Sequence, residues 1–367
     1  MARVVISGYY GFQNAGDEAV LYSMVKALRS FLPGLEISVL SNAPRQTATS
    51  LNVEGVNRWQ PMAVFKALRR ADLVISGGGS LFQNVTGWKS LFYYLGIVLL
   101  ARLLRKPVVI YAQGLGPLKQ TFSRWLTGKV LNMVQLITLR DSDSRKLLEE
   151  LNVRRPQVYV TADPVLGLEP GDLDLSSGEK KWHDLGLTGP VIGISVRTWP
   201  GTEGCWPVLA RVADKLVDEG WQVVFIPFQF PGDVEACRQV ARLMQNRSVV
   251  IKENMDFKTI MGLIGRMQFL IGMRLHALIL AAVMGIPFLA LPYDPKVAAF
   301  ARTVEQPSTT TLAGITCQGL TAAVQEALAQ RDEHAERVRA AAVELRPRAL
   351  DNARLVVEYL KKIVAED

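Results

Sequence analysis

The sequence predicts an α/β protein built of two Rossmann-like halves facing a cleft. Three observations carry this. Short, fully apolar β-branched runs alternate with helical periodicity from the third residue onward. The alternation breaks once, in a Gly-, Pro- and Ser-rich stretch near the middle, and then restarts. The 367 residues suit about two domains of ordinary size. Continuous apolar strands separated by helices imply parallel sheets covered on both faces.

Taken in order, Arg3–Ser7 is the first strand, and Glu18–Leu32 carries Val20, Met24, Leu28 and Phe31 at helical spacing. Pro33-Gly34 stops that helix, and Glu36–Leu40 is the next strand. Further buried strands are expected at Leu73–Ser76, Val108–Ala112, Leu136–Leu139 and Val158–Val160. These belong to an N-terminal domain over 1–168. Residues 169–190, with Pro170-Gly171, Ser176-Ser177-Gly178 and Gly189-Pro190, read as a linker. Strands then recur at Val191–Val196, Trp221–Pro227, Ser248–Lys252, Phe269–Gly272 and Phe288–Leu291. Helices fall at Trp206–Glu219, Asp233–Gln245, Phe257–Arg266 and His276–Met284, giving a C-terminal domain over 191–345. Residues 346–367 form a last charged helix, expected to pack back on the N-terminal domain.

Composition narrows the function classes. Forty-two Lys and Arg against 34 Asp and Glu leave a net charge of +8, which suits anionic partners without choosing among them. Three scattered cysteines and the lack of CxxC or HxxxH spacing give no support for a disulfide framework or a metal site. The first residues run straight into a strand and lack the regions of a signal peptide. The apolar stretch Ser90–Ala101 is shorter than the ~20 residues that span a bilayer, and Pro287 and Pro292 interrupt His276–Tyr293. A soluble, intracellular protein is expected. The cations are dispersed rather than striped with aromatics, which argues against nucleic acid.

In open α/β sheets ligands bind beyond the carboxyl ends of strands, and those loops hold the unusual residues. Gly8–Glu18 follows the first strand. Gly11 and Gly16 have P-loop separation, but Asp17 and Glu18 stand where Lys and Ser/Thr would, so ATP is not expected there, and no GxGxxG is present. Asp17 is either a helix cap, with Glu18 a first-turn acid, or a carboxylate for a substrate hydroxyl. The Ser76–Ser80 turn can bring backbone amides of Gly78 and Gly79 to an anion, or serve only as a tight turn. Gln113-Gly114-Leu115-Gly116-Pro117 repeats the theme.

Arg140, at a strand's carboxyl end, is an anion clamp or an ion-pair residue, and Arg197 holds the corresponding place in the second half. His276 opens an apolar helix, where the helix dipole attracts anions, with Arg274 two residues before it. A capping or core histidine is the bland alternative. Lys296 follows the next strand and would complete a positive pocket with Arg274 and His276.

Together these segments resemble the polysaccharide pyruvyl transferase family, closest to its bacterial cell-wall branch of CsaB type. The resemblance rests on Gly8–Glu18, Ser76–Ser80, Gln113–Pro117, Arg140-Asp141, Asp163-Pro164 and Arg274-Leu275-His276, in family order across most of the chain. It implies a fold similar to the GT-B glycosyltransferases. It also implies transfer of pyruvyl from phosphoenolpyruvate to O4 and O6 of a β-linked N-acetylmannosamine on a lipid-diphosphate-linked secondary cell-wall polymer precursor. The product would be a 4,6-ketal and free phosphate, and the polymer would anchor surface-layer proteins.

On this reading Asp17 and His276 are catalytic, the first as base on the acceptor and the second as an acid or phosphate contact. Donor contacts are expected at Gly78, Gly79, Arg140, Arg274, Leu275, His276 and Lys296, and acceptor contacts at Asn14, Asp17, Asn84 and Gln113. No metal and no cofactor beyond the donor substrate is expected. The helix around Leu91–Leu100, ending in Arg102, Arg105 and Lys106, could touch a membrane or be buried. The expected location is the cytoplasm, at the inner membrane face if that helix reaches it. Oligomeric state is left open. The rival readings are a nucleotide-sugar glycosyltransferase of the same architecture and a non-catalytic protein that binds anionic ligands or membrane surfaces.

Overall fold

Each apolar run read as a strand becomes a parallel strand in one of two sheets. The computed structural model describes residues 2–366 except Thr86, Thr310, Thr311 and Ala313. It divides into two units. The first comprises Met1–Phe12, Asp17–Gly167 and Leu345–Asp367, and the second Gln13–Gly16 and Leu168–Glu344.

The first unit is a seven-stranded sheet of β1 (Arg3–Ser7), β2 (Glu36–Ser41), β3 (Glu54–Asn57), β4 (Leu73–Ser76), β5 (Val108–Gln113), β6 (Leu136–Leu139) and β7 (Gln157–Val160). Their order is β3-β2-β1-β4-β5-β6-β7, all parallel. The helices between them are α1 (Ala15–Phe31), α2 (Pro44–Leu51), α3 (Pro61–Arg70), α4 (Trp88–Leu103), α5 (Thr121–Leu131) and α6 (Ser142–Glu150). One core joins the sheet to α3, α4 and α5 through Leu68, Leu95, Val98, Ile110 and Val130. The order reverses between β1 and β4, so their carboxyl ends form the topological switch point where such sheets bind ligands.

The second unit repeats the plan with β8 (Val191–Ser195), β9 (Gln222–Phe225), β10 (Val249–Val250), β11 (Phe269–Gly272) and β12 (Phe288–Ala290), ordered β10-β9-β8-β11-β12. Its helices are α7 (Ser176–Asp184), α8 (Trp206–Asp218), α9 (Gly232–Leu243), α10 (Phe257–Ile264), α11 (Leu275–Val283), α12 (Pro295–Thr303) and α13 (Cys317–Ala329). Its switch point lies between β8 and β11. The last helix, α14 (Arg331–Glu366), starts in this unit, and from Leu345 onward it belongs to the first unit. There the buried Asn352 accepts from Thr161 Oγ1 at 2.7 Å and donates to the Ala162 carbonyl at 3.0 Å, which fastens the helix beside β7.

Two expectations are corrected. Residues 169–190 are not a bare linker: they hold α7, packed on α10 within the second unit. Gly178 is the reason this can happen, since a Cβ there would sit 2.6 Å from Gly262 Cα, so the glycine serves close helix approach rather than chain freedom. Gln13–Gly16, placed by position in the N-terminal domain, pack as part of the second unit.

Candidate functional site

In the first unit the carboxyl edge is knitted by side chains the sequence had offered to ligands. Gln113 is fully buried: its Oε1 accepts from Leu81 N at 3.1 Å and its Nε2 donates to the Gly77 carbonyl. It staples the glycine turn, which corrects its assignment to the acceptor. Gly78 is also buried, and a Cβ there would stand 2.7 Å from Val20 Cγ1, so packing against α1 demands the glycine and no anion need be invoked. Gly79 has φ +100 and a missing Cβ that would lie 3.2 Å from Asp17 Oδ1. The Asp17 carboxylate therefore rests against this turn. Asn84 accepts from Lys119 N at 3.1 Å, tying the loop after β4 to the loop after β5.

Arg140 is the hub of this edge. Its Nη1 pairs with Asp163 at 2.9 Å and its Nη2 donates to Ser80 Oγ at 3.0 Å, with both charged side chains almost fully buried. Gly114 leaves room for it, since a Cβ there would lie 2.7 Å from Arg140 Nε. The residue is thus an ion-pair strut across the loops following β4, β5 and β7, and its charge is already met by Asp163.

The acidic pair after β1 also differs from expectation. Helix α1 begins at Ala15, so Asp17 lies inside its first turn, and Asn14 acts as the cap, accepting from Gly16 N at 3.1 Å. Glu18 accepts from Gly11 N at 2.7 Å. Burial pushes its carboxyl up to about 7, opposed by the Gly11 amide and aided by the neighbouring Asp17 charge. A carboxyl that titrates near neutrality beside a second carboxylate is a candidate proton carrier. The sequence displayed both acids but not the burial that separates them.

In the second unit, the loops at the ends of β8, β9, β11 and β12 converge. Gln13–Gly16 is laid onto the loop after β9: Ala15 N donates to Phe228 O at 2.8 Å and Phe230 N to Gln13 O at 3.0 Å, with Asn14 bridged to Gln229. Asp233, at the start of α9, accepts from the amides of Phe228 and Gln229 and grips the Arg274 guanidinium, with Nε at 2.8 Å and Nη2 on its other oxygen. Arg274 Nη2 also reaches Gln229 Oε1 at 3.2 Å. Arg274 is buried and charge-compensated, and therefore positions this loop cluster.

His276 occupies the first turn of α11, half-buried, directly after Leu275. Gly16 presses on its ring: a Cβ there would lie 2.5 Å from Nδ1 and 2.6 Å from Cγ. The glycine in the first motif thus exists to let the chain pass against the histidine in the last one. Lys296 sits in the first turn of α12, behind the Asp294 cap. Arg197, beyond β8, donates from Nη1 to Tyr293 OH at 2.7 Å and lies under the rings of Trp199 and Tyr293 at 4.7 and 5.0 Å. Because β11 lies between β8 and β12, this contact spans the end of the strand that delivers His276. Among the described residues no carboxylate pairs with Arg197, unlike Arg140 and Arg274. Among the described residues no cluster of His, Cys, Asp or Glu could hold a metal ion.

Two parallel sheets of this topology, each with its functional loops at the carboxyl edge, make a double-Rossmann fold of the GT-B kind. Solved structures share the fold. A TM-score of 0.68 relates the chain to Anabaena Alr3699/HepE in complex with UDP and glucose, at 14% identity, covering 99% of this chain and all of that one. The S. aureus MnaA–UDP co-structure gives 0.67 at 15% identity, covering all of this chain and 97% of that one. A glycosyltransferase from Rickettsia africae gives 0.66 at 12% identity, covering 100% and 99%. Family membership is more specific: the polysaccharide pyruvyl transferase profile matches residues 14–295, and the chain belongs to that family. It is therefore a transferase. It is also similar to the amylovoran biosynthesis protein AmsJ of Erwinia amylovora, 21% identical over 353 residues, covering 80% of this chain and 84% of that protein.

Proposed function

We propose that the enzyme transfers the pyruvyl group of phosphoenolpyruvate to two hydroxyls of one sugar, giving a cyclic ketal and inorganic phosphate. The acceptor in this reading is a β-linked N-acetylmannosamine, ketalised at O4 and O6, on a lipid-diphosphate-linked precursor of a secondary cell-wall polymer that anchors surface-layer proteins. The observation that carries the donor assignment is the cationic edge of the second unit. Among the described residues Arg197 there pairs with no carboxylate, and His276 and Lys296 open the helices that follow the two neighbouring strands. A substrate with both a carboxylate and a phosphate needs several such groups.

The atoms balance as follows. A proton adds to C3 of the donor, and the first sugar oxygen bonds to the oxocarbenium-like C2. The second oxygen then bonds to C2 as the C2–phosphate bond breaks. One hydroxyl proton accounts for the new methyl hydrogen, and the other leaves with phosphate. His276 donates to the departing phosphate oxygen, and Asp17 accepts the proton of the attacking hydroxyl, with Glu18 able to relay it at neutral pH. In this reading Gly79, Leu275 and Lys296 contact the donor, and Asn14 and Asn84 the acceptor. Arg140 and Arg274 act by holding their loops against Asp163 and Asp233.

Titration of the purified protein with phosphoenolpyruvate and, separately, with UDP tests the donor. Saturable binding of phosphoenolpyruvate that weakens at least tenfold in Arg197→Met is expected. Binding of UDP alone would replace this reading by that of a sugar-nucleotide enzyme.

A further inference from the structure

Helix α4 breaks a rule of surface helices. Its inner face, including Leu91, Leu95, Val98 and Ala101, is buried in the first unit's core. The outer face of such a helix is normally polar. Here it carries Trp88, Phe92, Gly96, Leu99 and Leu103 at helical intervals, with Trp88 57% and Leu103 79% exposed. The apolar surface continues onto α5. Ring centroids step from Trp88 to Phe92 at 5.6 Å, to Phe122 at 6.3 Å and to Trp125 at 5.8 Å. Phe122 and Trp125 are themselves 60% and 56% exposed. Exposed aromatics joined into one strip mark an interaction surface rather than scattered exposure.

The charge around this strip is one-sided. Between Asp72 and Asp141 the sequence has no Asp or Glu at all, but has eight Lys and Arg. Lys89, Lys119 and Lys129 are exposed on or beside α4 and α5 and form no ion pair among the described residues, while Arg124 pairs with Glu150 of α6. No helix among the described residues is long and apolar enough to cross a membrane, and the inner face of α4 is already committed to the core.

We infer that the α4–α5 face is a peripheral docking surface for an anionic phospholipid bilayer, with Trp88, Phe92, Leu99, Leu103, Phe122 and Trp125 entering the headgroup region and the lysines facing lipid phosphates. Tryptophan and phenylalanine flanked by cations suit that interface, whose apolar and anionic layers match both parts of the strip. A second copy of the chain fits poorly, because a two-fold contact through this face sets like charges against each other. The inference rests on this surface alone and stands or falls independently of the pyruvyl reaction.

The test is flotation of the full chain with vesicles of phosphatidylcholine, with and without one-third phosphatidylglycerol. Light scattering of the same samples without lipid reports self-association. Binding to the anionic vesicles is expected, falling about fivefold for each lysine neutralised in Lys119→Gln and Lys129→Gln. The pair Phe122→Ser with Trp125→Ser should lower binding at least tenfold while leaving the thermal unfolding profile and turnover of a soluble acceptor unchanged. No binding to anionic vesicles would overturn the inference, as would binding that Phe122→Ser with Trp125→Ser leaves intact. A dimer that this double substitution disperses would equally overturn it, by naming a second copy as the occupant.

Discussion

Replacing Gly16 by alanine probes the link between the first and last motifs of the chain. The added methyl would start 2.5 Å from His276 Nδ1, 2.6 Å from Cγ and 2.7 Å from Cβ, whereas ordinary contact begins at 3.4 Å. The imidazole must then retreat by about 1 Å, and if His276 acts as proposed, a misplacement of that size costs on the order of a hundredfold in rate. Alanine in a helix is otherwise favourable by about 0.5–1 kcal/mol over glycine, and the overpacking costs about 1–3 kcal/mol, so the fold should survive with stability lowered by no more than about 2.5 kcal/mol. The assay is turnover in four proteins: the parent, Gly16→Ala, His276→Ala and the double variant. The expected pattern is a loss of about a hundredfold on adding Gly16→Ala to the parent and almost none on adding it to His276→Ala. Full turnover in Gly16→Ala, or an equal loss in both backgrounds, would refute the argument that this glycine exists to seat the histidine.

Two further outcomes test the edges of the first unit. The Glu18 carboxyl is raised from its ordinary 4.5 to about 7, so its contribution to stability is whole below pH 4.5 and fades as pH rises through 7. Across that window it should remove about 3 kcal/mol relative to Glu18→Gln, read as urea midpoints at pH 5 and pH 8, and parallel pH profiles in the two proteins would contradict it. Breaking the buried Arg140–Asp163 pair with Arg140→Met or Asp163→Ala should each cost about 3–5 kcal/mol, with the double variant costing less than the sum of the singles. Additive losses would show the pair to be energetically idle.

The two parallel sheets could be read from sequence because their inner strands are buried on both faces and show as unbroken apolar runs such as Val4–Ile6 and Leu270–Ile271, whereas β7, expected as a buried strand at Val158–Val160, lies at the sheet edge with Tyr159 and Val160 exposed. The edge strand β3 could not, since Glu54-Gly55-Val56-Asn57 offers a single large apolar side chain. Helix α7 was hidden for a different reason. Its glycine and serines look like linker composition, and only the neighbouring Gly262 reveals that Gly178 is there for contact.

The candidate site divides in the same way. The position of each arginine at a strand end was legible, but its partner was not, because Asp163 lies 23 residues from Arg140 and Asp233 lies 41 from Arg274. Adjacent residues advertise a charge, and folding alone decides what neutralises it. Gln113 shows the same limit, since a glutamine beside glycines suggests a ligand contact until its amide is seen on the Gly77 and Leu81 backbone. Arg197 gained weight by the reverse route, as the one of the three strand-end arginines without a carboxylate partner among the described residues.

The most direct test of the reaction is phosphate release from phosphoenolpyruvate, measured with and without a β-N-acetylmannosaminyl disaccharide-diphosphate-lipid analogue, followed by the mass of the recovered acceptor. The account predicts release that depends on the acceptor, an acceptor heavier by one pyruvate less one water, and loss of both in His276→Ala. Phosphate release without any gain in acceptor mass, or a mass gain that survives His276→Ala, would contradict it.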